Sequence, residues 1–322
     1  MKIQEDFLDT MSTLDATTKV LPQRFTYKKY TVQRYTYCED GDLPLIRAFV
    51  DNTIDVKNLE TNVHCEKPDL LFEMLLLREK LSNQLFDVLA NTQYLVNCIS
   101  QEQVNTIIKW CQKNGYPFQI DQKPQRKNKF KEMTSIVEDF YCVQFDLLEF
   151  LKELNEIYSA FKLYQVMTDD LSEEDYSIRI AKVKESSSSS LRKELKFVPL
   201  ITRKPSSEVE KKEAVERCKS LFLEKYNDRS FNMHLIPDRE RVFITEVQTD
   251  NLFDAAFYQL ALLLDRPKTQ IKQCPLCRRY FQPSRTNQKY CDTKNENKKP
   301  TCYAQLHYKQ THSKQKEKRA SE

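Results

Sequence analysis

The chain has 322 residues, 40% of them hydrophobic and 11% aromatic, so it can form a substantial core and is expected to fold along most of its length. Its only glycines are Gly41 and Gly115, which excludes the glycine-rich loops that bind nucleotide phosphates, and we expect no nucleotide cofactor. The net charge of +4 is uneven, because residues 266–322 hold 15 Lys and Arg against four Asp and Glu, and a basic segment after an acidic body favours an anionic partner.

The N-terminal sequence and the cysteines indicate the compartment. Residues 1–16 lack a basic stretch followed by an apolar one, so we expect no signal peptide. No apolar run approaches the roughly eighteen residues that a membrane span requires. Ten cysteines in such a chain predict reduced thiols and a cytoplasmic location.

The first predicted elements are strands followed by two helices. Aromatic and polar residues alternate in RFTYKKYTVQRYTY, which predicts β-structure with a break near Lys28–Lys29. From Pro68 the apolar residues recur at helical spacing. A further helix is expected to begin after Ser100, which can form a capping box with Gln103, and to end at Gly115.

A strand followed by a capped helix is predicted twice in the second half of the chain. The first unit has a strand over 140–145 and a helix capped by Asp146. The second has a strand over 242–247 and a helix capped by Asp250. Between the two units, the sequence predicts a helix that begins after Ser207. It also predicts a hairpin, and the strand over 242–247 is one of the two strands of that hairpin.

Four of the ten cysteines are concentrated near the C-terminus with the spacing C-x2-C-x13-C-x10-C. They are Cys274, Cys277, Cys291 and Cys302. Two cysteines separated by two residues can close a tight turn around one cation, and two later cysteines complete the tetrahedron that structural Zn2+ favours. Their flanks are Lys, Arg, Gln and Asn rather than apolar residues, which argues against ordinary core cysteines. The spacing therefore predicts one zinc ion.

The segment around these cysteines predicts a small finger. Cys274–Cys277 would form a knuckle, Arg279–Gln282 a strand whose Phe281 covers the metal, and Lys289–Cys291 a second strand that returns beside the first. Pro300 suits the first turn of a basic helix that would carry the fourth cysteine. A knuckle, a hairpin and a ligand on a helix together describe a treble-clef-like finger.

The pattern C-x2-C-x3-F-x-P-x-R…Y-C…T-C over residues 271–310 resembles the C-terminal zinc ribbon of an uncharacterised family of bacterial, mainly clostridial, proteins. More distantly it is similar to the CGNR-type zinc finger, and that resemblance implies DNA binding of the kind found in bacterial regulators. The CGNR pattern has Gly-Asn-Arg after the last cysteine, whereas here Cys302 is followed by Tyr303-Ala304-Gln305.

One further residue competes for the metal. His307 lies five residues beyond Cys302 and is the candidate to replace a cysteine ligand. Four protein ligands close the coordination sphere of zinc, so the ion is expected to be structural rather than catalytic.

The predicted fold class is mainly α within the α+β class: a helix-rich body with small strands and hairpins, followed by the zinc finger. The predicted segments are a helix-rich region (1–185), a flexible linker around a five-serine run (186–205), a strand–helix region (206–265), the finger with its basic helix (266–312) and a disordered basic tail (313–322).

Two kinds of binding protein agree with this organisation. In the first, basic residues around the zinc site contact the phosphates of DNA or RNA. The candidate residues are Arg278, Arg279, Arg285, Lys289, Lys298, Lys299 and Lys309. In the second, the finger is only a stabilising cap, and the helical body binds a protein partner.

Two weaker patterns would indicate an enzyme. Asp238 and Glu246 resemble the metal-binding carboxylates of PD-(D/E)xK nucleases, but Gln248 stands where that motif has lysine. Arg229 and His234 match the R-x4-H spacing of HEPN-type ribonucleases, although their segment is typical of a strand and not of the helix which that motif requires. A binding protein is therefore favoured over a metal-dependent nuclease.

Overall fold

The computed structural model describes residues 23–32, 34–40, 43–51, 60–64, 68–81, 85–86, 99–120, 140–168, 178–184, 194–201, 205–237, 243–264, 271–285, 287–291, 302 and 304. Within them the chain forms five helices and eleven strands. In order these are β1 (Gln23–Tyr30), β2 (Arg34–Asp40), β3 (Leu43–Asp51), β4 (Glu60–His64), α1 (Asp69–Lys80), α2 (Gln101–Asn114), β5 (Phe140–Asp146), α3 (Leu147–Met167), β6 (Ile178–Lys184), β7 (Glu194–Ile201), α4 (Glu208–Asn227), β8 (Asn232–Pro237), β9 (Phe243–Thr249), α5 (Leu252–Leu264), β10 (Lys272–Gln273) and β11 (Tyr280–Phe281).

The strands form four sheets. The largest has the order β4-β1-β9-β8, in which β1 runs parallel to β9 and the other neighbours are antiparallel. A second, antiparallel sheet has the order β2-β3-β5. Strands β6 and β7 form a hairpin, and β10 pairs with β11 in a short ribbon. The α+β class is confirmed, and β1 pairs with a strand more than two hundred residues later.

Helix α3 lies at the centre of the molecule. Its buried residues, among them Phe150, Phe161 and Tyr164, point in all directions around its axis, as expected for a helix surrounded by other elements. Helices α1, α4 and α5 pack against it. None of the helices in the described part of the chain is long and apolar enough to span a membrane.

The local signals at the helix ends are confirmed. The Ser100 hydroxyl accepts from the Gln103 N–H at 3.3 Å, and the Gln103 side chain accepts from the Ser100 N–H at 2.8 Å. Helix α2 ends before Gly115, whose φ of 103° is unfavourable for residues with a side chain. A Cβ atom there would also lie 2.9 Å from the Tyr30 carbonyl oxygen, so this position requires glycine.

The expected break near Lys28–Lys29 is wrong. Strand β1 runs through both residues, and the chain leaves β-structure only after Tyr30. Both ammonium groups find partners, because Lys28 pairs with Glu60 and Asp250 and Lys29 donates to the Lys113 carbonyl oxygen at 2.7 Å. The polar pair is therefore accommodated within the strand.

The repeated strand–helix module is confirmed, with one correction. Asp146 caps α3, since its carboxylate accepts from the Leu148 N–H at 2.7 Å. In the second unit, Asn251 rather than Asp250 is the cap, because its side chain accepts from the Phe253 N–H at 2.8 Å. Asp250 is instead paired with Lys28 of β1.

Residues far apart in sequence share one hydrophobic core. It includes Phe25 of β1, Leu71 of α1, Phe257 of α5 and Tyr280 of β11. The segments predicted as 1–185, 206–265 and 266–312 are therefore packed together. Within the stretch predicted as a linker, residues 194–201 form β7, whereas the five-serine run lies outside the described residues, as does the tail 313–322.

Candidate metal centre

The four predicted cysteines lie together. One Sγ atom from each of Cys274, Cys277, Cys291 and Cys302 is within 4.8 Å of the other three. Cys274, Cys291 and Cys302 are buried and Cys277 is exposed. Cysteine sulfurs in this arrangement form a candidate metal site, as the spacing predicts.

The spacing of the sulfurs fits a tetrahedral ion. Zn–S bonds of about 2.3 Å place neighbouring sulfurs of a tetrahedron roughly 3.8 Å apart. The Cys277–Cys291 and Cys291–Cys302 sulfurs are separated by 3.4 and 3.7 Å. The donor set and its dimensions are thus compatible with zinc.

The knuckle is closed by its own backbone. The Arg278 N–H donates to the Cys274 carbonyl at 2.8 Å, and the Cys274 N–H donates to the Arg279 carbonyl at 2.9 Å. Burial acts to raise the pKa of the Cys274 thiol, but hydrogen bonds from the backbone N–H groups of Cys291, Cys277 and Leu276 outweigh it and lower that pKa to about 7. The backbone therefore favours the thiolate, the form that binds metals, at Cys274, whereas burial raises the pKa of Cys277 to about 11.

Two aromatic residues shield the sulfurs. Phe281 packs against the buried cysteines, as predicted, and the half-buried Tyr290 joins them. The expected second strand over Lys289–Cys291 is wrong, because β11 pairs with β10 before the knuckle. Instead, the Gln288 side chain forms two hydrogen bonds within this segment: it accepts from the Ser284 N–H at 2.7 Å and donates to the Tyr290 carbonyl at 3.0 Å.

We call residues 271–291 together with Cys302 the finger, and it lies against α1. Glu79 accepts hydrogen bonds from the Gln273 side chain at 2.7 and 2.8 Å and from the Tyr280 hydroxyl at 2.9 Å. The Tyr280 ring meets Phe161 of α3 edge-on, with ring centroids 5.0 Å apart. The finger is therefore anchored to the body by polar and apolar contacts.

The predicted nucleic-acid residues have different surroundings. Arg278, Arg285 and Lys289 are exposed beside the cysteines. Arg279 is half-buried and forms an ion pair with Glu73 of α1 at 3.2 Å. The remaining predicted contacts lie outside the described residues, as does the alternative ligand; these are Lys298, Lys299, Lys309 and His307.

Arg229 and His234, the pair suggested for a ribonuclease, have different surroundings. The Arg229 guanidinium pairs with Glu153 and, at 3.4 Å, with Asp254, and it lies 4.1 Å from the Phe257 ring centre. Burial raises the pKa of Asp254, and the Arg229 charge opposes that rise without cancelling it. His234 is exposed on β8, which is a strand as its sequence predicts. Arg229 thus connects α3 with α5.

Of the two carboxylates in the nuclease pattern, the structure describes one. Glu246 is half-buried on β9, opposite His234 of β8. Asp238 lies outside the described residues.

Sequence reasoning missed Glu73 and Glu79, the carboxylates that anchor the finger. Glu73 stands within the apolar stretch of α1, Glu79 stands between Arg78 and Lys80 at its end, and neither belongs to a local motif. The available signal was the charge asymmetry of the chain, since a basic C-terminal segment can dock on an acidic body as well as on an external anion. Placing the two carboxylates requires the tertiary packing of α1.

None of the protein-family models, curated proteins or solved structures compared with this chain matches it significantly.

Proposed function

We propose that this protein binds one structural Zn2+ ion through Cys274, Cys277, Cys291 and Cys302 and presents a basic finger to DNA or RNA. The convergence of four cysteine sulfurs within 4.8 Å supports the metal site. Zinc is favoured over other ions because four thiolates in a tetrahedron suit it, although iron binds such sites as well. Four protein ligands leave no open position for catalysis.

The exposed basic residues support the nucleic-acid part of the proposal. Arg278 follows the knuckle directly, and Arg285 and Lys289 lie on the segment that leads to Cys291. The metal would fix the backbone that carries these charges, so that phosphate contacts cost little ordering. Arg279 forms an ion pair with Glu73, so we assign it a role in anchoring the finger rather than in contacting phosphate.

We also propose that the C-terminal segment is related to the clostridial zinc-ribbon family and, more distantly, to the CGNR-type finger, which its sequence resembles. The proposal also includes a treble-clef-like arrangement, in which the β10–β11 ribbon on either side of the knuckle stands in place of the hairpin predicted from the sequence. A reducing cytoplasm is part of the proposal as well, because the thiols would remain available for the metal there.

Fluorescence anisotropy of labelled DNA and RNA tests the proposal. The zinc-loaded full-length protein is titrated at several salt concentrations, alone and with Arg278→Ala, Arg285→Ala and Lys289→Ala combined. Each phosphate contact contributes about 0.9 to the slope of log K against log salt on duplex DNA. We expect the triple variant to bind weakly and to lose about two to three units of slope.

A matched variant controls for net charge. Lys212→Ala, Arg217→Ala and Lys219→Ala remove three exposed positive charges from α4, outside the finger. They are expected to leave the slope nearly unchanged. Equal losses from both triple variants, or no binding by the wild type at low salt, would contradict nucleic-acid recognition by the finger.

A stabilising cap is the second candidate function, and the anchoring of the finger favours it. Tyr280 belongs to the main core, and Glu79 and Glu73 engage three finger side chains. In that case, zinc would stabilise the body, and a protein partner would bind elsewhere. Zinc-dependent stability without any salt-dependent binding of nucleic acid would identify this function.

A further inference from the structure

An apolar strip of the largest sheet extends beyond the helix that covers it. Phe25, Val247 and Met233 are cross-strand neighbours on β1, β9 and β8, so they face the same side of the sheet. Phe25 and Val247 are 5% and 4% exposed, and Phe25 stacks on Tyr258 of α5 at 4.1 Å. Met233 is 68% exposed, and Leu235, on the same face of β8, is 66% exposed.

Strand β8 also forms an edge of this sheet. Within the described residues it pairs with β9 alone, so one side of its backbone offers hydrogen-bonding groups to another strand. Edge strands are usually protected by charged residues or by proline. Residues 232–236 contain no Lys, Arg, Asp or Glu, and Pro237 stands only at the end of the strand.

We propose that β8 pairs antiparallel with β8 of a second copy of this chain, joining two four-stranded sheets into one of eight strands. The side-chain pattern is self-complementary, which a two-fold interface requires. An axis through His234 places Met233 of each copy opposite Leu235 of the other, on the same sheet face. No like charges meet, because residues 232–236 carry no Lys, Arg, Asp or Glu.

The expected dimer is weak. The interface consists of one six-residue strand from each copy, with four exposed apolar side chains in all. We expect the area it buries to lie at or below the lower end for specific interfaces, which is about 1,200 Å² in total. We therefore expect dissociation in the micromolar range, with an apparent mass that rises from the 38.3 kDa of one chain as the concentration increases.

Sedimentation equilibrium of the full chain tests the pairing. The protein concentration is varied from about 1 to about 300 μM, a range that brackets a micromolar dissociation constant. Leu235→Lys brings two charges into the apolar strip and is expected to raise the dimer dissociation constant at least about tenfold. Val209→Lys is the matched control, because Val209 is an equally exposed apolar residue (69%) on α4. A monomer throughout the range would overturn the proposal, as would equal effects of the two variants.

Cross-linking tests the register. His234→Cys places two thiols directly opposite each other, roughly 5 Å apart at Cβ, and a short bis-maleimide is expected to join them. Asn232→Cys displaces the thiols by about 13 Å along the strands and is expected to cross-link no more than the wild type. Cross-linking of both variants, or of Asn232→Cys alone, would exclude this register.

Discussion

At the scale of single residues, the knuckle requires a positive φ at Arg278, and the cysteine spacing does not predict this requirement. Arg278 has a φ of 57°, in the left-handed region, where a side chain costs about 1–2 kcal/mol. Its N–H still donates to the Cys274 carbonyl, so the turn and the metal ligand depend on this conformation. The chain has no glycine there.

Substitution of Arg278 tests this conformational cost. Arg278→Val is expected to weaken zinc binding about tenfold or more, because a β-branched residue is strongly disfavoured at positive φ and 1.4 kcal/mol corresponds to a factor of ten. Arg278→Gly relieves the strain and is expected to bind zinc at least as tightly as the wild type. Competition with a chromogenic chelator measures both affinities. If valine and glycine behaved alike, the conformation would not limit metal binding.

A second residue-scale prediction concerns Tyr30. Burial, with the nearby Asp250 and Glu60 carboxylates, raises the pKa of this phenol to about 12 from its ordinary value near 10. Above pH 10 the unfolded chain releases a proton that the folded chain retains, so the free energy of unfolding falls as pH rises from 10 to 12. Below pH 10 this group has no such effect.

Urea unfolding at several pH values between 8 and 12 measures the effect. Tyr30→Phe is expected to make the alkaline decline less steep by up to one proton per molecule. The other tyrosines of raised pKa, such as Tyr226, leave a residual slope in the variant. An unchanged slope in Tyr30→Phe would contradict the assigned environment.

At the scale of elements, α1 is both a core helix and the anchor of the finger. Eight of its residues are buried, and Glu79 near its end accepts hydrogen bonds from Gln273 and Tyr280. The anchor joins elements about 200 residues apart in sequence. Apolar periodicity correctly predicts this helix, but it does not predict which polar residues of the helix contact the finger.

Removal of the Glu79 carboxylate tests this anchor. Glu79→Ala removes an acceptor of the Tyr280 hydroxyl and of the Gln273 side chain, and it is expected to cost about 1–3 kcal/mol of unfolding free energy. In a double-mutant cycle with Tyr280→Phe, the two changes should be clearly less than additive. Glu213→Ala, which removes an exposed carboxylate from α4, is expected to cost less than about 0.5 kcal/mol. Additive effects would argue against a direct interaction.

At the scale of the whole molecule, the finger and the body share a core. Ile271 and Tyr280 of the finger belong to the main cluster of buried residues, whereas the cysteines form a small cluster of their own with Phe281. The finger has little apolar area of its own, and its ribbon has two residues in each strand. Its order is therefore expected to depend on the metal and on the body together.

Metal removal tests this coupling through Trp110, the one tryptophan of the sequence. Trp110 is buried on α2 against Phe150, so its fluorescence reports on the body. Chelation, or Cys291→Ser, is expected to lower the midpoint of the Trp110 unfolding transition by several degrees. Cys38→Ser, which changes a half-buried cysteine outside the cluster, is the control. A midpoint independent of metal would mean that the finger folds as a separate unit.

Features that depend on near neighbours could be predicted from the amino-acid sequence alone. Helix caps and stops act over about two to five residues, so the sequence alone predicts them. The examples are Ser100 with Gln103, Gly115 and Asp146. The cysteine spacing predicted the cluster of four sulfurs, because ligands for one ion recur at a regular spacing in the chain. The cap at Asn251 was missed because Asp250 is equally suitable locally, and only its ion pair with Lys28 decides between them.

Contacts between distant segments could not be predicted in this way and are known only from the folded chain. The parallel pairing of β1 with β9 and the anchoring of Tyr280 by Glu79 both depend on contacts across most of the chain. Such contacts are selected by the packing of one shared core, to which side chains throughout the molecule contribute. Local patterns predict the cysteine cluster and the helix ends, whereas the position of the finger on the body is a property of the whole fold.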